Sequence, residues 1–203
     1  MKTLLLILTF FIAGSSFSQV DTVIHEPNYT SYFSYQLHEP LYVVYKLYHG
    51  GGNCSRAGDR FKTDGLPNSA TPADYKGNGF DEGHLANSKD FAYDCALQEA
   101  TFRFFNCVPQ SPSLNRGIWK QYETTVRKES QDDSLLIICG SIFGDKKIGP
   151  DSIAVPDYCW KIVYSLTDNH LVHCLIFPND NSNSVESIDV EELEKKLGYE
   201  IIF

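Results

Sequence analysis

The stretch Asp81-Glu82-Gly83-His84, followed by Asp90, carries most of the information about the fold and its chemistry. A second set of polar residues follows it in three places: Asn106-Cys107-Val108-Pro109-Gln110, Leu114-Asn115-Arg116-Gly117, and Trp119 with Glu123. An imidazole can accept a proton from water near neutral pH. Oxygen-bearing side chains can hold a hard cation such as Mg²⁺, which neutralises developing charge. Together these groups supply what phosphodiester hydrolysis requires.

His84 and Asn115 also have ordinary interpretations. A histidine after a glycine is often a plain loop or strand residue, whereas in the catalytic interpretation Gly83 lets the backbone turn and leaves the ring exposed. An asparagine just before an apolar periodic segment is a preferred helix N-cap. Both roles are compatible for Asn115, because a side chain at a helix start is held rigidly toward a neighbouring site. We interpret Asp81 as shaping the turn or orienting a neighbour.

The segments on either side of these motifs predict their own structure. Apolar residues at helical spacing after Leu114 predict a helix of about four turns that ends near Ser130. The aromatic and β-branched stretch 42–48 predicts a strand. Residues 49–79, rich in glycine, proline, asparagine and aspartate, predict an extended surface loop. Residues 19–40 predict a loosely structured entry that could include an edge strand.

Three apolar segments in the second half of the chain predict strands at 135–141, 159–166 and 171–177. The last two are separated by a short polar turn and should form a hairpin, so the sheet is at least partly antiparallel. Residues 187–197 begin acidic and end basic, which predicts a C-terminal helix aligned with its dipole. The fold class is therefore α+β, without a repeat, linker or second domain.

Residues 1–18 have the pattern of a secretory signal peptide: one lysine, an apolar run, then small residues. The apolar run is too short to span a bilayer, although a retained anchor is the alternative. Small residues at Ser16 and Ser18 indicate cleavage before Gln19. We expect a signal peptide at 1–18, a single domain at 19–203, a secreted or periplasmic location, and no membrane association after cleavage.

The net charge of the chain is negative. It is −9 for all 203 residues, and removing residues 1–18 takes away Lys2 and no acidic residue, which leaves −10. A protein that binds nucleic acid mainly by releasing counterions should be basic. Any activity on nucleic acid must therefore rest on a local site and a divalent metal.

Six cysteines in an exported chain favour up to three disulfides in an oxidising compartment, with the pairing left open. Structural zinc is the alternative. It is disfavoured because the sequence has no C-x-x-C pair and no histidine at ligand spacing from a cysteine pair.

Residues 60–127 contain five motif blocks: Arg60-Phe61-Lys62-Thr63-Asp64, Ala73-Asp74-Tyr75, Asp81-x-Gly83-His84, Asn106-x-x-Pro109-Gln110, and Leu114-Asn115-x-Gly117-x-Trp119-x-x-x-Glu123-x-x-x-Arg127. Their order and separations resemble those of the Serratia-type non-specific DNA/RNA endonucleases, which include mitochondrial endonuclease G. The resemblance implies the ββα-metal nuclease fold, a single domain with a mainly antiparallel sheet flanked by helices. It also implies DNA and/or RNA as substrate.

This resemblance implies three roles at the reacting centre. His84 would be the general base that activates water. Asn115 would be the direct protein ligand of one Mg²⁺, for which Mn²⁺ is a possible substitute, and Glu123 would hold water bound to that metal. Cleavage would leave a 5′-phosphate, with the metal stabilising the phosphate and the departing 3′-oxygen.

The resemblance also implies supporting roles. Arg60 and Arg127 would grip the phosphate, because a guanidinium fork suits two phosphate oxygens. Asn106 would support the site by hydrogen bonding. On their own, the two arginines could equally be solvated surface charges, with Glu123 paired to Arg127 four positions later on a helix face.

Two positions depart from the pattern of this family. Its motif is Asp-Arg-Gly-His, and Glu82 stands where the arginine is expected. Its proline after the histidine is absent, the stretch here being Leu85-Ala86-Asn87-Ser88. Reversing a charge near the scissile phosphate could cost a few kcal/mol of transition-state binding. Glu82 could instead bind a second cation or point away.

Two other functions compete with the nuclease interpretation. His49-Gly50-Gly51-Gly52 is similar to the oxyanion loop of some lipases, but the chain lacks the G-x-S-x-G elbow of an esterase. The stronger competitor is a weakened or non-catalytic binding protein of the cell envelope on the same fold, which Glu82 and the negative charge favour. The preference for DNA or RNA, the oligomeric state and the biological role stay open.

Overall fold

A seven-stranded antiparallel sheet forms the centre of the computed structural model, which describes residues 20–202. In their order across the sheet, the strands are β1 (Thr22–His25), β2 (Thr30–Ser34), β3 (Glu39–Leu47), β6 (Leu135–Ile148), β7 (Ile153–Ser165), β8 (His170–Pro178) and β9 (Glu186–Ser187). Strands β4 (Asp81–His84) and β5 (Cys107–Gln110) form a separate antiparallel pair. The predicted signal peptide lies outside the described residues.

Residues 20–202 contain five α-helices next to the sheet: α1 (Pro72–Tyr75), α2 (Cys95–Ala100), α3 (Pro112–Arg116), α4 (Ile118–Glu129) and α5 (Val190–Leu197). Two short 3-10 turns occur at Ser88–Phe91 and Phe104–Asn106. Within residues 20–202, none of the helices is long and apolar enough to cross a membrane.

The central strands bury both faces, and this explains their nearly continuous apolar sequences. On β6, Ile137 packs into one core and its neighbour Ile138 into another. Alternate residues of a strand point to opposite faces, so each strand supplies both cores. Helix α5 covers one face with Leu193 and Leu197. The other face is covered by α3, α4 and the β4–β5 pair, which bring Leu114, Trp119 and Val108 into the core.

The predicted strands are present but longer than their apolar stretches. Strand β6 continues to Ile148 and β7 begins at Ile153, because the two pair with each other beyond the buried region through an irregular register. The predicted hairpin between β7 and β8 is confirmed. Residues 19–40 contain two strands rather than one at most, and the loop after β3 contains the short helix α1.

The prediction of a single helix after Leu114 is wrong, because Gly117 divides this segment into α3 and α4. Gly117 has backbone angles outside the helical range (φ −101°, ψ −117°), and Asn183 accepts a hydrogen bond from the Ile118 amide at 2.7 Å. Asn115 is therefore not an N-cap. Ser111 caps α3 by accepting from the Leu114 amide at 3.1 Å, while Asn115 lies in the last turn of that helix.

One disulfide joins Cys54 to Cys95 across 41 residues. The other four cysteines, Cys107, Cys139, Cys159 and Cys174, are free and buried. The expected maximum of three bridges is therefore not reached. Each of these four thiols fills space in a core, where burial raises the thiol pKa above its ordinary value.

Gly140 should be required for the close approach of β3 and β6. A Cβ at this position would lie 2.4 Å from the Leu41 carbonyl oxygen and 2.6 Å from the Trp160 ring. We expect Gly140→Ala to destabilise the protein by about 1–3 kcal/mol, the usual range for overpacking. Lys147→Ala, at an exposed position of β6, should change stability by less than about 0.5 kcal/mol. Urea unfolding measures both, and equal stability of the two variants would contradict the packing described here.

Candidate active site

The β4–β5 pair places His84 at the end of a short strand, opposite Cys107. Gly83 lies within this strand, so it does not serve the turn that the sequence indicated. Its function is close packing, because a Cβ there would come within 2.4 Å of the Gln110 side chain. Glu82 and His84 are two residues apart on the strand and line the same cavity.

His84 is enclosed by aromatic rings. Its ring centroid lies 4.5 Å from that of Phe61 and 4.7 Å from that of Phe102, in an edge-on arrangement. Its Nε2 is buried and has no hydrogen-bond partner in residues 20–202. Burial, and secondarily the charge of Arg56, lower the pKa of His84 to about 3. The imidazole is therefore neutral at physiological pH.

A cavity of about 370 Å³ brings the candidate residues together. Four of the six site residues predicted from sequence line it: His84, Asn115, Glu123 and Arg127. The full lining is Arg56, Glu82, His84, Asn87, Lys89, Asn115, Arg116, Lys120, Glu123, Thr124 and Arg127. Five of these residues are cations and two are carboxylates, so the cavity is locally basic in a chain of net charge −9.

Asn115 is oriented by Asp81. The Asn115 amide nitrogen donates to Asp81 Oδ2 at 3.0 Å, while Arg116 forms a bidentate pair with the same carboxylate at 2.7 and 2.6 Å. These contacts lower the pKa of Asp81 despite its partial burial, so it stays ionised. Because the Asn115 nitrogen is engaged, its amide oxygen is the atom left to accept a ligand. Asp81 therefore orients a neighbour, as one of its two sequence-based interpretations proposed.

Helix α4 presents one face to the cavity and the opposite face to the core. Lys120, Glu123, Thr124 and Arg127 recur at helical spacing along the cavity. Glu123 is only 6% exposed, and burial raises the pKa of its carboxyl although Lys161 opposes the shift.

Arg127 pairs with Asp90 rather than with Glu123. Arg127 Nε donates to Asp90 Oδ1 at 2.8 Å, and the Tyr45 hydroxyl donates to Asp90 Oδ2 at 3.0 Å. Asp90 is 1% exposed, and the Arg127 side chain is 16% exposed. Arg127 is therefore a fixed, partly buried cation at the cavity wall and not a solvated surface charge.

Asn87 connects two of the candidate residues. Its Oδ1 accepts from Arg127 Nη2 at 3.0 Å and from the Lys89 amide at 2.7 Å, and its side chain donates to Glu123. This asparagine lies in the stretch after His84 that lacks the proline of the family pattern. Its polar side chain joins the segment after β4 to α4.

Asn106 lies beneath the site, not in the cavity. It is fully buried, accepts from the Ala86 amide at 2.8 Å, and donates to the Ala86 and Thr101 carbonyl oxygens at 2.9 Å each. Its own carbonyl accepts from the Leu85 amide at 3.0 Å. These bonds fix the backbone directly after His84, which agrees with a supporting function.

Arg60, like Asn106, is a predicted site residue that lies outside the cavity lining. It is exposed, and its Nη1 donates to the Asp59 carbonyl at 2.6 Å. Its charge acts on Glu82, whose pKa is raised by burial while Arg60 opposes that shift. The cation and the anion at these two positions therefore partly neutralise one another.

Sequence reasoning missed three residues that shape the site: Arg56, Asn87 and Lys161. Lys161 is 1% exposed on β7, and its Nζ lies 4.4 Å from the Trp119 ring centroid behind Glu123. The sequence around Lys161 is that of an ordinary strand and contains no motif that would mark it as a site residue. Asn87 was visible only as a departure from the family pattern, and Arg56 lies in a loop without a motif.

The donors in the cavity suit a hard divalent cation. The Asn115 amide oxygen and the Glu123 carboxylate are oxygen ligands of the kind that Mg²⁺ prefers while it keeps several waters. In the described part of the chain, no group of three or more histidine, cysteine, aspartate or glutamate side chains could form an all-protein cage. A site of this composition fits a cation that is bound by few protein ligands and by substrate.

Comparison with known proteins finds nucleases that are similar to this chain in sequence. A nuclease from Nostoc sp. is 34% identical over 170 residues, covering 74% of this chain and 62% of that protein. Human mitochondrial endonuclease G is 33% identical over 107 residues, covering 46% of this chain and 36% of that protein. The matched part of the chain thus spans less than two thirds of the length of either relative.

The fold also has a solved counterpart. The crystal structure of the EndoG/EndoGI complex contains a chain that superposes with a TM-score of 0.79 at 21% sequence identity, covering 90% of this chain and 86% of that chain. This likeness confirms the expected α+β architecture. The family model described as "DNA/RNA non-specific endonuclease" matches residues 8–202. Because this match covers nearly the whole sequence, the chain belongs to the DNA/RNA non-specific endonuclease family.

Proposed function

We propose that this chain is an exported, divalent-metal-dependent endonuclease that hydrolyses phosphodiester bonds of DNA and/or RNA and leaves 5′-phosphate ends. One observation carries the proposal: a single basic cavity combines a neutral imidazole, an oriented amide oxygen, a buried carboxylate and a fixed guanidinium. These groups meet the requirements for a base, a metal ligand and an anion-binding residue.

His84 acts as the general base. Because Nε2 is buried, we assign Nδ1 as the nitrogen that meets water. The water oxygen attacks phosphorus while its proton passes to Nδ1, the bond from phosphorus to the 3′-oxygen breaks, and the 3′-oxygen takes a proton from solvent. The low pKa of His84 keeps the ring ready to accept a proton at neutral pH, although it lowers the driving force of the transfer.

Asn115 would hold the divalent cation through its Oδ1, and Glu123 would support it by accepting hydrogen bonds from water in the cavity. When bound, Mg²⁺, or Mn²⁺ in its place, supplies Lewis-acid stabilisation of the phosphate and of the leaving oxygen. Asp81 acts through Asn115, because its hydrogen bond prevents the amide from turning its nitrogen toward the cation.

Arg127 binds the substrate phosphate from the α4 side. Its Nε is used by Asp90 and one terminal nitrogen by Asn87, which fixes the plane of the guanidinium before substrate arrives. Preorganised donors of this kind stabilise developing charge without reorganisation during the reaction. Arg60 contributes less, because it lies outside the cavity lining and offsets Glu82.

A nuclease-fold binding protein of the envelope with weakened catalysis is the second candidate. Glu82 favours it, because this carboxylate lines the cavity where phosphate would bind. Export itself rests on the signal-peptide pattern of residues 1–18, and the Cys54–Cys95 disulfide supports an oxidising compartment. A secreted or periplasmic location satisfies both observations.

Cleavage assays test the proposed function directly. The mature oxidised protein should cut plasmid DNA or total RNA with Mg²⁺ and stop when EDTA is added. His84→Ala should reduce the rate by at least about 100-fold, as expected for loss of a general base. Lys195→Ala on α5, at the opposite face of the sheet, serves as the control and should leave the rate unchanged.

Glu82→Arg separates the two candidate functions in the same assay. If the natural protein is a nuclease, the variant should cleave at an equal or higher rate, because a cation replaces an anion near the phosphate. An inert natural protein combined with an active Glu82→Arg variant would instead identify a disabled nuclease.

The low pKa of His84 predicts a specific dependence of stability on pH. The unfolded state protonates this ring below about pH 6.5 and the folded state only near pH 3. The stability that the neutral ring contributes is therefore complete above pH 6.5 and declines as pH falls toward 3. Relative to His84→Gln, the wild type should lose about 1–2 kcal/mol between pH 7.5 and pH 5. Urea unfolding at both pH values measures this, and a difference that does not change with pH would refute the buried neutral ring.

Asn87 should matter because it holds Glu123 and Arg127 in one arrangement. We expect Asn87→Ala to lower kcat by about 10-fold, the smaller end of the range for lost supporting contacts. Asn87→Asp should be worse, since it places a carboxylate against Glu123. The exposed Asn181→Ala is the matched control. Wild-type kinetics for both Asn87 variants would show that this bridge has no catalytic role.

A further inference from the structure

Arg56 occupies an unusual place for a residue in a long loop. It follows β3 by nine residues and is exposed, yet it lines the same cavity as His84. Its guanidinium carbon lies 5.3 Å from the centroid of Phe102, and Phe102 packs edge-on against His84. A cation is thus held over the aromatic wall that encloses the imidazole.

The Arg56 guanidinium is free to bind a ligand, whereas the other two arginines of the cavity are already paired. Arg127 is paired with Asp90 and Arg116 with Asp81. Lys89 donates to the Gly52 carbonyl. In contrast, within residues 20–202 no hydrogen bond or ion pair engages the Arg56 guanidinium. Arg56 is therefore the arginine of the cavity whose full fork can meet two oxygens of a phosphate.

The disulfide explains how a loop residue can be positioned there. Cys54, two residues before Arg56, is bonded to Cys95 at the start of α2, with a Cα–Cα distance of 5.3 Å. The Cys54 amide also donates to the Ala92 carbonyl at 3.0 Å. Gly52 makes this approach possible: it has a φ of +123°, and a Cβ would lie 2.2 Å from the Ala92 backbone.

The positive charge of Arg56 also offsets the negative charge of Glu82. Both side chains line the cavity on the wall beside His84, Arg56 through its contact with Phe102 and Glu82 as a neighbour of His84 on β4. Glu82 brings a negative charge to the wall where a phosphate must approach, and Arg60, which partly offsets that charge, lies outside the lining. A cation beside Glu82 on this wall would therefore favour a phosphate held next to His84.

We propose that Arg56, positioned by the Cys54–Cys95 disulfide, binds the substrate phosphate beside His84 and makes cleavage depend on the oxidised state of the protein. The proposal rests on the nuclease function proposed above. Arg56 is then a catalytic residue that touches substrate, and the disulfide is a positioning element that acts through it.

Binding of a fluorescent DNA oligonucleotide tests Arg56 without requiring turnover. In a His84→Ala background with EDTA, Arg56→Ala should weaken binding and reduce the slope of log affinity against log salt concentration by about 1, as for one lost phosphate contact. Lys195→Ala should change the slope far less, since Lys195 lies on α5 at the opposite face of the sheet. Equal slopes for Arg56→Ala and its parent would overturn the proposal even if the protein cleaves nucleic acid.

Kinetics separate a phosphate contact from a structural role. Arg56→Ala should lower kcat/KM with Mg²⁺ by about 100-fold, and Arg56→Lys by less. Adding Glu82→Arg to Arg56→Ala should recover part of the loss, because it restores a guanidinium to the same wall. A loss that neither the lysine nor the second arginine relieves would show that Arg56 only supports the loop.

Reduction tests the role of the disulfide. Dithiothreitol, or the pair Cys54→Ser and Cys95→Ser, should lower cleavage by the wild type but have little further effect on Arg56→Ala. Circular dichroism and thermal melting check that the reduced protein stays folded. Equal proportional losses in wild type and Arg56→Ala would overturn the link between the disulfide and Arg56, whereas complete loss of activity in His84→Ala tests the proposed function separately.

Discussion

The site depends on a buried carboxylate that must be paired. Asp90 is almost fully removed from solvent, and an isolated charge there would be very costly. Arg127 from α4 and Tyr45 from β3 both donate to it, and its backbone carbonyl accepts from the Gly51 amide at 3.0 Å. Four parts of the chain therefore meet at one residue: the central sheet, the segment after β4, α4 and the loop that leads to Arg56. Removing Arg127 would leave the Asp90 charge unpaired beside the cavity, and removing Tyr45 would leave one Asp90 oxygen without its donor.

The negative net charge is compatible with the proposed action on nucleic acid, because electrostatic interactions in salt solution are local. The overall charge of −9 opposes non-specific binding along a phosphate backbone, while the cavity carries more cations than carboxylates. At physiological salt, interactions beyond about 8 Å are largely screened, so a phosphate in the cavity meets mainly the arginines and lysines that line it. Affinity for long nucleic acid should consequently be low, and catalysis should rely on the few contacts around the scissile bond.

Much of this arrangement could be predicted from sequence, since the motif blocks keep their spacing and the central strands carry apolar residues. His84, Asn115, Glu123 and Arg127 meet in one cavity, and Asn106 lies directly beneath it. The rest depended on tertiary contacts that leave no local pattern. Gly117 breaks a helix whose apolar spacing continues through it, because Asn183, distant in sequence, accepts from the amide of Ile118. Arg60 matched a family motif yet lies outside the cavity lining, while Arg56 lines the cavity from a loop joined to α2 by a disulfide whose pairing the sequence left open.

Chemical rescue tests the central claim, that the neutral imidazole of His84 is the base of a hydrolytic site. His84→Ala leaves a space between Phe61 and Phe102 that free imidazole can enter. The measurement is the rate of plasmid cleavage by this variant with Mg²⁺, as a function of imidazole concentration and pH. We expect almost no cleavage without imidazole, and a rate that rises with the concentration of its neutral form. Wild-type cleavage by His84→Ala in the absence of imidazole would contradict it.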